Sequence, residues 1–154
     1  MIAGMTISLD GFAAGAAGDV RRLYPDVAEM AAASSSMAAT IAATGSVVVD
    51  QWTFDMGDAD AYVGQYEFQV PILVVTNRPP VRQLKQDEYL TLTFVSDGVG
   101  QAIAKAQAAA GAQDVQIVGG PTVIQQALRA GLVDELHLDV MSVLLGEGLR
   151  FFDS

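Results

Sequence analysis

The clearest pattern of apolar and polar positions along the chain lies between Asp114 and Val140. Val115, Ile117 and Val118 form a short apolar run, Gly119 and Gly120 interrupt it, and Val123, Ile124, Ala127 and Leu128 then recur at helical spacing. Leu136, Leu138 and Val140 alternate further on. A short continuous apolar run suits a strand covered on both faces, and the 3.6-residue recurrence suits a helix packed on one side. Arg129 in the last turn and Gly131 just beyond it are stop signals. The stretch therefore predicts a β–α–β unit with a glycine pair at its first junction. That pair admits two readings. It can let a ligand, most often a phosphate, approach backbone N–H groups at the start of a helix, or it can simply form a tight turn.

Weaker repeats of the same pattern fill the rest of the chain. Ile2 to Ser8 reads as a first strand ended by Asp10-Gly11, and Gly11 to Asp19, without period and rich in Gly and Ala, reads as a mobile flap or a slack connection. A long helix is expected from Pro25-Asp26 to about Ala43, with Val27, Met30, Met37 and Ile41 on its buried stripe. Gly45 to Val49 is the next strand, and Asp50-Gln51-Trp52-Thr53 leads into a short helical turn. Tyr62, Tyr66 and Phe68 anchor a loop, Pro71 to Thr76 is a strand closed by Asn77-Arg78-Pro79-Pro80, and Leu92 to Val95 is another. Asp97 is expected to cap a helix running to Ala110 and ending at Gly111. Asp134 to Leu145 reads as a long strand folded back through Gly146-Glu147-Gly148 onto Leu149 to Phe152, an antiparallel terminal hairpin.

Composition limits the function classes. The 154 residues suit one domain, and 51% hydrophobic residues suffice for a sizeable core. A formal charge of −10 with eight Lys and Arg argues against nucleic-acid and anionic-membrane surfaces. Without cysteine, and with His137 as the single histidine, the chain offers no thiolate nucleophile and no Cys- or His-based metal cluster. No basic leader and no apolar run of membrane-spanning length is present in the sequence, so a cytoplasmic location is expected.

Several polar residues stand where chemistry could use them, each beside a plainer role. Asp10 could orient a ligand or cap its own turn. Asp26 is placed for proton handling if its helix end faces a pocket, or it answers the helix dipole. Thr76, Asn77 and Arg78 at a strand's carboxyl edge suit an anion, or form an exposed loop. Asp50 brings a negative charge to a strand–helix junction where a phosphate would otherwise sit. His137, inside a strand, reads as structural or interfacial.

Taken together, the segments MTISLDGFAAG (Met5 to Gly15), TFDMGD (Thr53 to Asp58), YEFQVPILVVTNRPP (Tyr66 to Pro80), TFVSDG (Thr93 to Gly98), VGGPTVIQQALRAGLVDELHL and VLLGEGLRFFD resemble the dihydrofolate-reductase-like fold. The likeness is closer to small bacterial proteins similar to the carboxyl-terminal reductase domain of the riboflavin pathway, and it extends over nearly the whole chain. It implies an α/β, three-layer fold with a mixed, mostly parallel central sheet, helices on both faces and the antiparallel carboxyl-terminal hairpin. It also implies a nicotinamide cofactor, normally NADPH, with NADH or no cofactor as alternatives.

By match to that family, Gly119, Gly120, Pro121 and Thr122 resemble the loop beside the nicotinamide and pyrophosphate, where the glycine–glycine bond is often cis. Thr53 matches the pyrophosphate-contacting threonine, and Thr76, Asn77 and Arg78 the adenosine and 2′-phosphate side. Asp10, Tyr24, Asp26 and Met30 lie along the implied substrate cleft. Relatives usually carry Met-Gly-Arg-Arg-Thr where this chain has Val49-Asp50-Gln51-Trp52-Thr53. Two functions from different classes follow. One is an NAD(P)H-dependent reductase of a small heterocyclic or conjugated substrate, with Asp26 or a water it orients supplying the proton. The other is a non-redox descendant that has lost the dinucleotide and uses a pocket lined by Trp52, Tyr24 and Met30 for ligand binding, cyclisation or isomerisation. A homodimer is expected from the resemblance and from the apolar carboxyl-terminal strands.

Overall fold

The computed structural model describes residues 1–25 and 35–152. Its strands are β1 (Ile2–Ser8), β2 (Phe12–Ala14), β3 (Thr44–Asp50), β4 (Ile72–Val75), β5 (Leu92–Val95), β6 (Asp114–Val118), β7 (Glu135–Met141) and β8 (Leu149–Arg150). Its helices are α1 (Ser35–Ala43), α2 (Gln51–Asp55), α3 (Tyr62–Gln65, a kinked turn), α4 (Val99–Ala110) and α5 (Pro121–Arg129). Six strands form one sheet in the order β5-β4-β3-β6-β1-β7, and every neighbouring pair in it is parallel.

Strand alternation divides the apolar residues between two cores on opposite faces of this sheet. Val48, Leu73, Val95, Val115 and Ile117 meet Ala102, Ile103 and Ala106 of α4 and Val123, Ile124 and Ala127 of α5 on one face. Val47, Val49, Ile72, Val74 and Leu92 meet Phe54 of α2, Phe68, Leu84 and Leu90 on the other, with Met37 and Ile41 of α1 packed against them. The aromatic anchors expected of the 58–69 loop are there: Phe54 stacks on Tyr62 with centroids 4.8 Å apart, and Tyr62 contacts Tyr66 at 5.0 Å.

The β–α–β unit forms as its pattern predicts. Pro121 opens α5, where its missing N–H costs nothing, and Gly131 follows the helix at φ 66. Other expectations need correction. Asp97 is not the cap of α4: Gly98, at φ 92, takes the N-cap position, and no side chain caps it. The 11–19 segment is not a loose flap either. Phe12, Ala13 and Ala14 are a buried strand, and Ala16–Gly18 is a 3₁₀ turn.

The antiparallel pairing at the carboxyl end exists, but with a different partner. β7 stops at Met141, where the Val143 amide turns back onto the Met141 carbonyl at 2.8 Å. β8 then pairs with β2, not with β7, so the main sheet is wholly parallel and the antiparallel ladder is separate from it. The cause is a buried anchor. Phe151 is fully buried in the α4–α5 core, its N–H donates to the Gly11 carbonyl at 3.0 Å, and Gln125 Nε2 donates to its carbonyl. Burying a phenylalanine contributes about 1.5–3 kcal/mol, which a two-stranded hairpin left in solvent would forgo.

Gly45 marks a close approach between β3 and the end of α4. It sits at a register shift in β3, and a Cβ there would lie 2.7 Å from Gln113 Cβ and 2.8 Å from the Ala110 carbonyl oxygen at the end of α4. Next to it, the buried Ser46 hydroxyl donates to the Ala106 carbonyl at 2.8 Å. Gly45→Ala must push α4 off the sheet, and a loss of about 1–3 kcal/mol is expected, read as a lowered urea midpoint at unchanged slope.

Candidate ligand cleft at the carboxyl edge of the sheet

Because the six strands are parallel, the loops after β1, β3, β4 and β6 all leave the same edge, the usual location of ligand sites in open α/β sheets. An open cleft of about 550 Å³ lies there. It is lined by Gly15, Ala17 and Gly18 of the segment after β2, Asp50 and Trp52 at the start of α2, Pro121 and Thr122 at the start of α5, and Gly148 and Leu149 of the carboxyl-terminal segment.

The wall between β3 and β6 is built around the glycine pair. The Gly119–Gly120 peptide is cis, and Gly119 has φ 77. Asp50 is the N-cap of α2: its Oδ1 accepts the Thr53 amide at 2.8 Å, which fixes the carboxylate. Fixed there, it stands directly on Gly120, where a Cβ would overlap Asp50 Oδ2 and lie 2.8 Å from its Cγ. A Cβ on Gly119 would meet Thr53 Oγ1 at 3.0 Å. Thr53, Gly119 and Gly120 are thus together as expected, with Asp50 packed onto the pair.

Trp52 forms the facing wall. A Cβ on Gly18 would be 3.1 Å from its Cζ2, so the indole rests against the Gly18 backbone, yet 41% of the residue is exposed. Leu149 is similarly half open at 43%. Gly148, at φ 132, packs its backbone onto Ala14 and Gly15, where a Cβ would lie 2.6 Å from the Gly15 carbonyl carbon. Nothing in the sequence pattern assigned Gly148, Leu149, Gly15, Ala17 or Gly18 to a site, although the paired glycines at 146 and 148 were a signal of close backbone approach.

Asp10, expected along the cleft, does not line it and ties the turn after β1 to the carboxyl-terminal segment. Its carboxylate accepts from the Ser8 hydroxyl at 2.6 Å and from the Leu145 and Gly146 amides at 3.1 and 2.8 Å. The Ser8 hydroxyl first, then these amides, hold its carboxyl down at about 2 against a partial desolvation that opposes them. Arg150 turns away from the cleft onto the Phe12 ring, 4.5 Å from its centroid.

The remaining expected residues lie elsewhere. Tyr24 sits over the middle of β1; burial raises its hydroxyl pKa, while a hydrogen bond to the Thr6 side chain opposes that shift. It does not line the cleft. Thr76 is buried, with Oγ1 accepting the Arg78 amide at 2.9 Å, and Asn77 and Arg78 are exposed at the same sheet edge outside the cleft. Asp26 and Met30 are outside the described residues. His137 is exposed on β7, 3.0 Å from Glu135.

Comparison with known proteins places this architecture. The family model of the RibD C-terminal domain matches residues 1–154. The chain belongs to the RibD C-terminal domain family. Solved structures agree with the fold that this RibD-type domain adopts. A protein assigned to riboflavin biosynthesis from Shewanella sp. PV-4 superposes with a TM-score of 0.72 at 21% identity, over 99% of this chain and 82% of that one. Dihydrofolate reductase from Enterococcus faecalis, complexed with NADP(H) and RAB-propyl, gives 0.57 at 15% identity over 99% and 77%. A pyrimidine reductase-like protein from Corynebacterium diphtheriae gives 0.51 at 15% over 94% and 75%. No curated protein matches in sequence. The RibD-type domain therefore has a dihydrofolate-reductase-like fold, and no described helix of it is long and apolar enough to cross a membrane.

The Asp10 clasp should appear in acid. Its carboxyl is held at about 2 in the fold against an ordinary 3.8, so its contribution is complete above pH 4 and is lost as pH falls from about 4 towards 2. Asp10→Asn should flatten that part of the stability–pH curve measured by urea unfolding. An unchanged acid limb would show that the clasp contributes nothing.

Proposed function

We propose that this chain is a small-ligand-binding member of the reductase-like family that uses the carboxyl-edge cleft without seating a dinucleotide diphosphate on its glycine pair. The observation that supports this is the Asp50 carboxylate standing on Gly120. A diphosphate approaching the pair's backbone would meet that carboxylate first. Two unit charges about 4 Å apart at an effective dielectric of 20 repel by about 4 kcal/mol before salt screening, close to a thousandfold in affinity. Among the described residues lining the cleft, Asp50 is the one charged side chain, so no lysine or arginine offsets it. The residues present do not fit a dinucleotide in that seat.

The hydride-transferring reading is kept as the second. It is supported by the meeting of Gly119, Gly120, Pro121, Thr122 and Thr53 at one edge and by membership of the family. Under it NADPH, or NADH, would reduce a small heterocyclic or conjugated substrate, with Asp26 as proton source. We also propose a cytoplasmic homodimer. Its support is the sheet's open β7 edge and the exposed Val140, Leu144 and Phe152 near the carboxyl end. Light scattering should return twice the 16.1 kDa chain mass, and a monomer mass at micromolar concentration would refute it.

One titration separates the two readings. A ligand at a hundred times its Kd stabilises by about 2.7 kcal/mol, which for a domain of this size raises Tm by about 5–10 °C. The wild-type chain should show no such rise with millimolar NADPH or NADH. Asp50→Gly combined with Gln51→Arg should gain one with NADPH. A wild-type rise with either nucleotide would overturn the proposal in favour of the reductase.

A further inference from the structure

We propose that the cleft selects a small organic cation, an amine or amidinium carried on an apolar or aromatic body. This inference rests on the reading that the glycine pair takes no diphosphate, and it names the ligand class of that same cleft. Three features of the lining lead to it. Asp50 is the one charged side chain among the described lining residues, and it is held in place through Oδ1 by the Thr53 amide at 2.8 Å. The structure gives Oδ2 no hydrogen-bond partner among the described residues, so the carboxylate keeps acceptor capacity at the cleft wall.

The second feature is Trp52. Its indole is braced on Gly18 and still 41% exposed, a preset aromatic surface of the residue type that attracts cations best. It stands two residues along the chain from the carboxylate, so charge and ring flank one space. The third is the remainder of the lining. Gly15, Ala17, Gly18, Pro121, Gly148 and Leu149 supply backbone and small apolar surface and Thr122 a neutral side chain, which would accept a flat or aliphatic body and give an anionic group no charged side-chain partner. Two cations of the neighbouring segments are engaged elsewhere: Arg150 lies over the Phe12 ring, and Arg21 pairs with Asp19 at 2.7 Å. A net charge of −10 adds a long-range field of the same sign as Asp50.

The occupant is thus recognised by a carboxylate for its charge, by an indole for its charge and surface, and by a volume of about 550 Å³ for its size. Isosteric probes test this directly. Benzamidine, benzamide and benzoate share a ring and differ in charge at one end. Binding is followed by ligand-observed saturation-transfer NMR and by quenching of Trp52, the single tryptophan.

Benzamidine should bind at least tenfold tighter than benzamide, and benzoate should not saturate. Asp50→Asn keeps the N-cap oxygen, because asparagine caps as well as aspartate, and should bring benzamidine down to the affinity of benzamide. Trp52→Leu should weaken benzamidine more than benzamide. Equal binding of the three probes, tighter binding of benzoate, or an Asp50→Asn variant that holds benzamidine unchanged would each overturn the inference. The NADPH titration keeps the two failures apart: no response to either nucleotide or benzamidine sinks the cation alone, whereas a wild-type response to NADPH sinks the underlying reading as well.

Discussion

The parallel direction of all six strands in the main sheet is the constraint from which the rest of the molecule follows. A parallel strand must be reached by a crossover, so the connections run over the faces, as helices before β6 and β7 and as a helix-free segment between β4 and β5. Every chain segment that leaves a carboxyl end is thereby delivered to one edge, where the turn after β1, the start of α2, the Thr76–Arg78 turn and the glycine pair share a neighbourhood. With β7 added in parallel beside β1, the last segment also emerges at that edge. It cannot double back along β7 and still bury Phe151, and it crosses to β2 instead. The cleft is the space left between these arrivals.

Asp50 shows how one side chain can serve fold and site together. Capping α2 satisfies an amide that the first turn would otherwise leave to solvent, and it stabilises a helix too short to persist by itself. The same bond prevents the carboxylate from swinging away from Gly120. Local stability and local charge are therefore not independent variables at this junction. A glycine in its place would loosen the helix start a little and open the pair to an anionic guest.

Elements with strong periodicity were legible in the sequence, and those set by distant partners were not. β1, β3 to β6, α4 and α5 follow from apolar spacing and from Gly and Pro punctuation, because their neighbours are the sheet itself. β2 has no such pattern. Its three residues are small or aromatic and buried, and the strand they pair with, β8, lies at the other end of the chain, so the local sequence looks like slack. The terminal ladder failed for the same reason: a Gly-containing turn between apolar stretches says that strands may pair, not which ones. At the site, the convergence of Thr53 with Gly119 and Gly120 was readable from family likeness. The contribution of Gly148 and Leu149 depends on where the last segment crosses, which no spacing rule encodes.

That crossing has a further consequence, for the order in which the molecule assembles. The hydrogen bonds from Leu145 and Gly146 to Asp10 join residues 135 and 136 positions apart. Closing a loop of that span carries a large entropic cost before any contact rewards it. The β3, β4 and β5 pairings can form on short connections, whereas β6 and β7 are joined to each other only through β1 from the far end of the chain, and the wall that completes the cleft likewise needs both remote segments in place. Opening runs the same way. Release of the Asp10 bonds together with the β2–β8 ladder and the Phe151 anchor would part the glycine-rich segment after β2 from the carboxyl-terminal segment, so the hollow is governed by contacts between the two far ends of the chain.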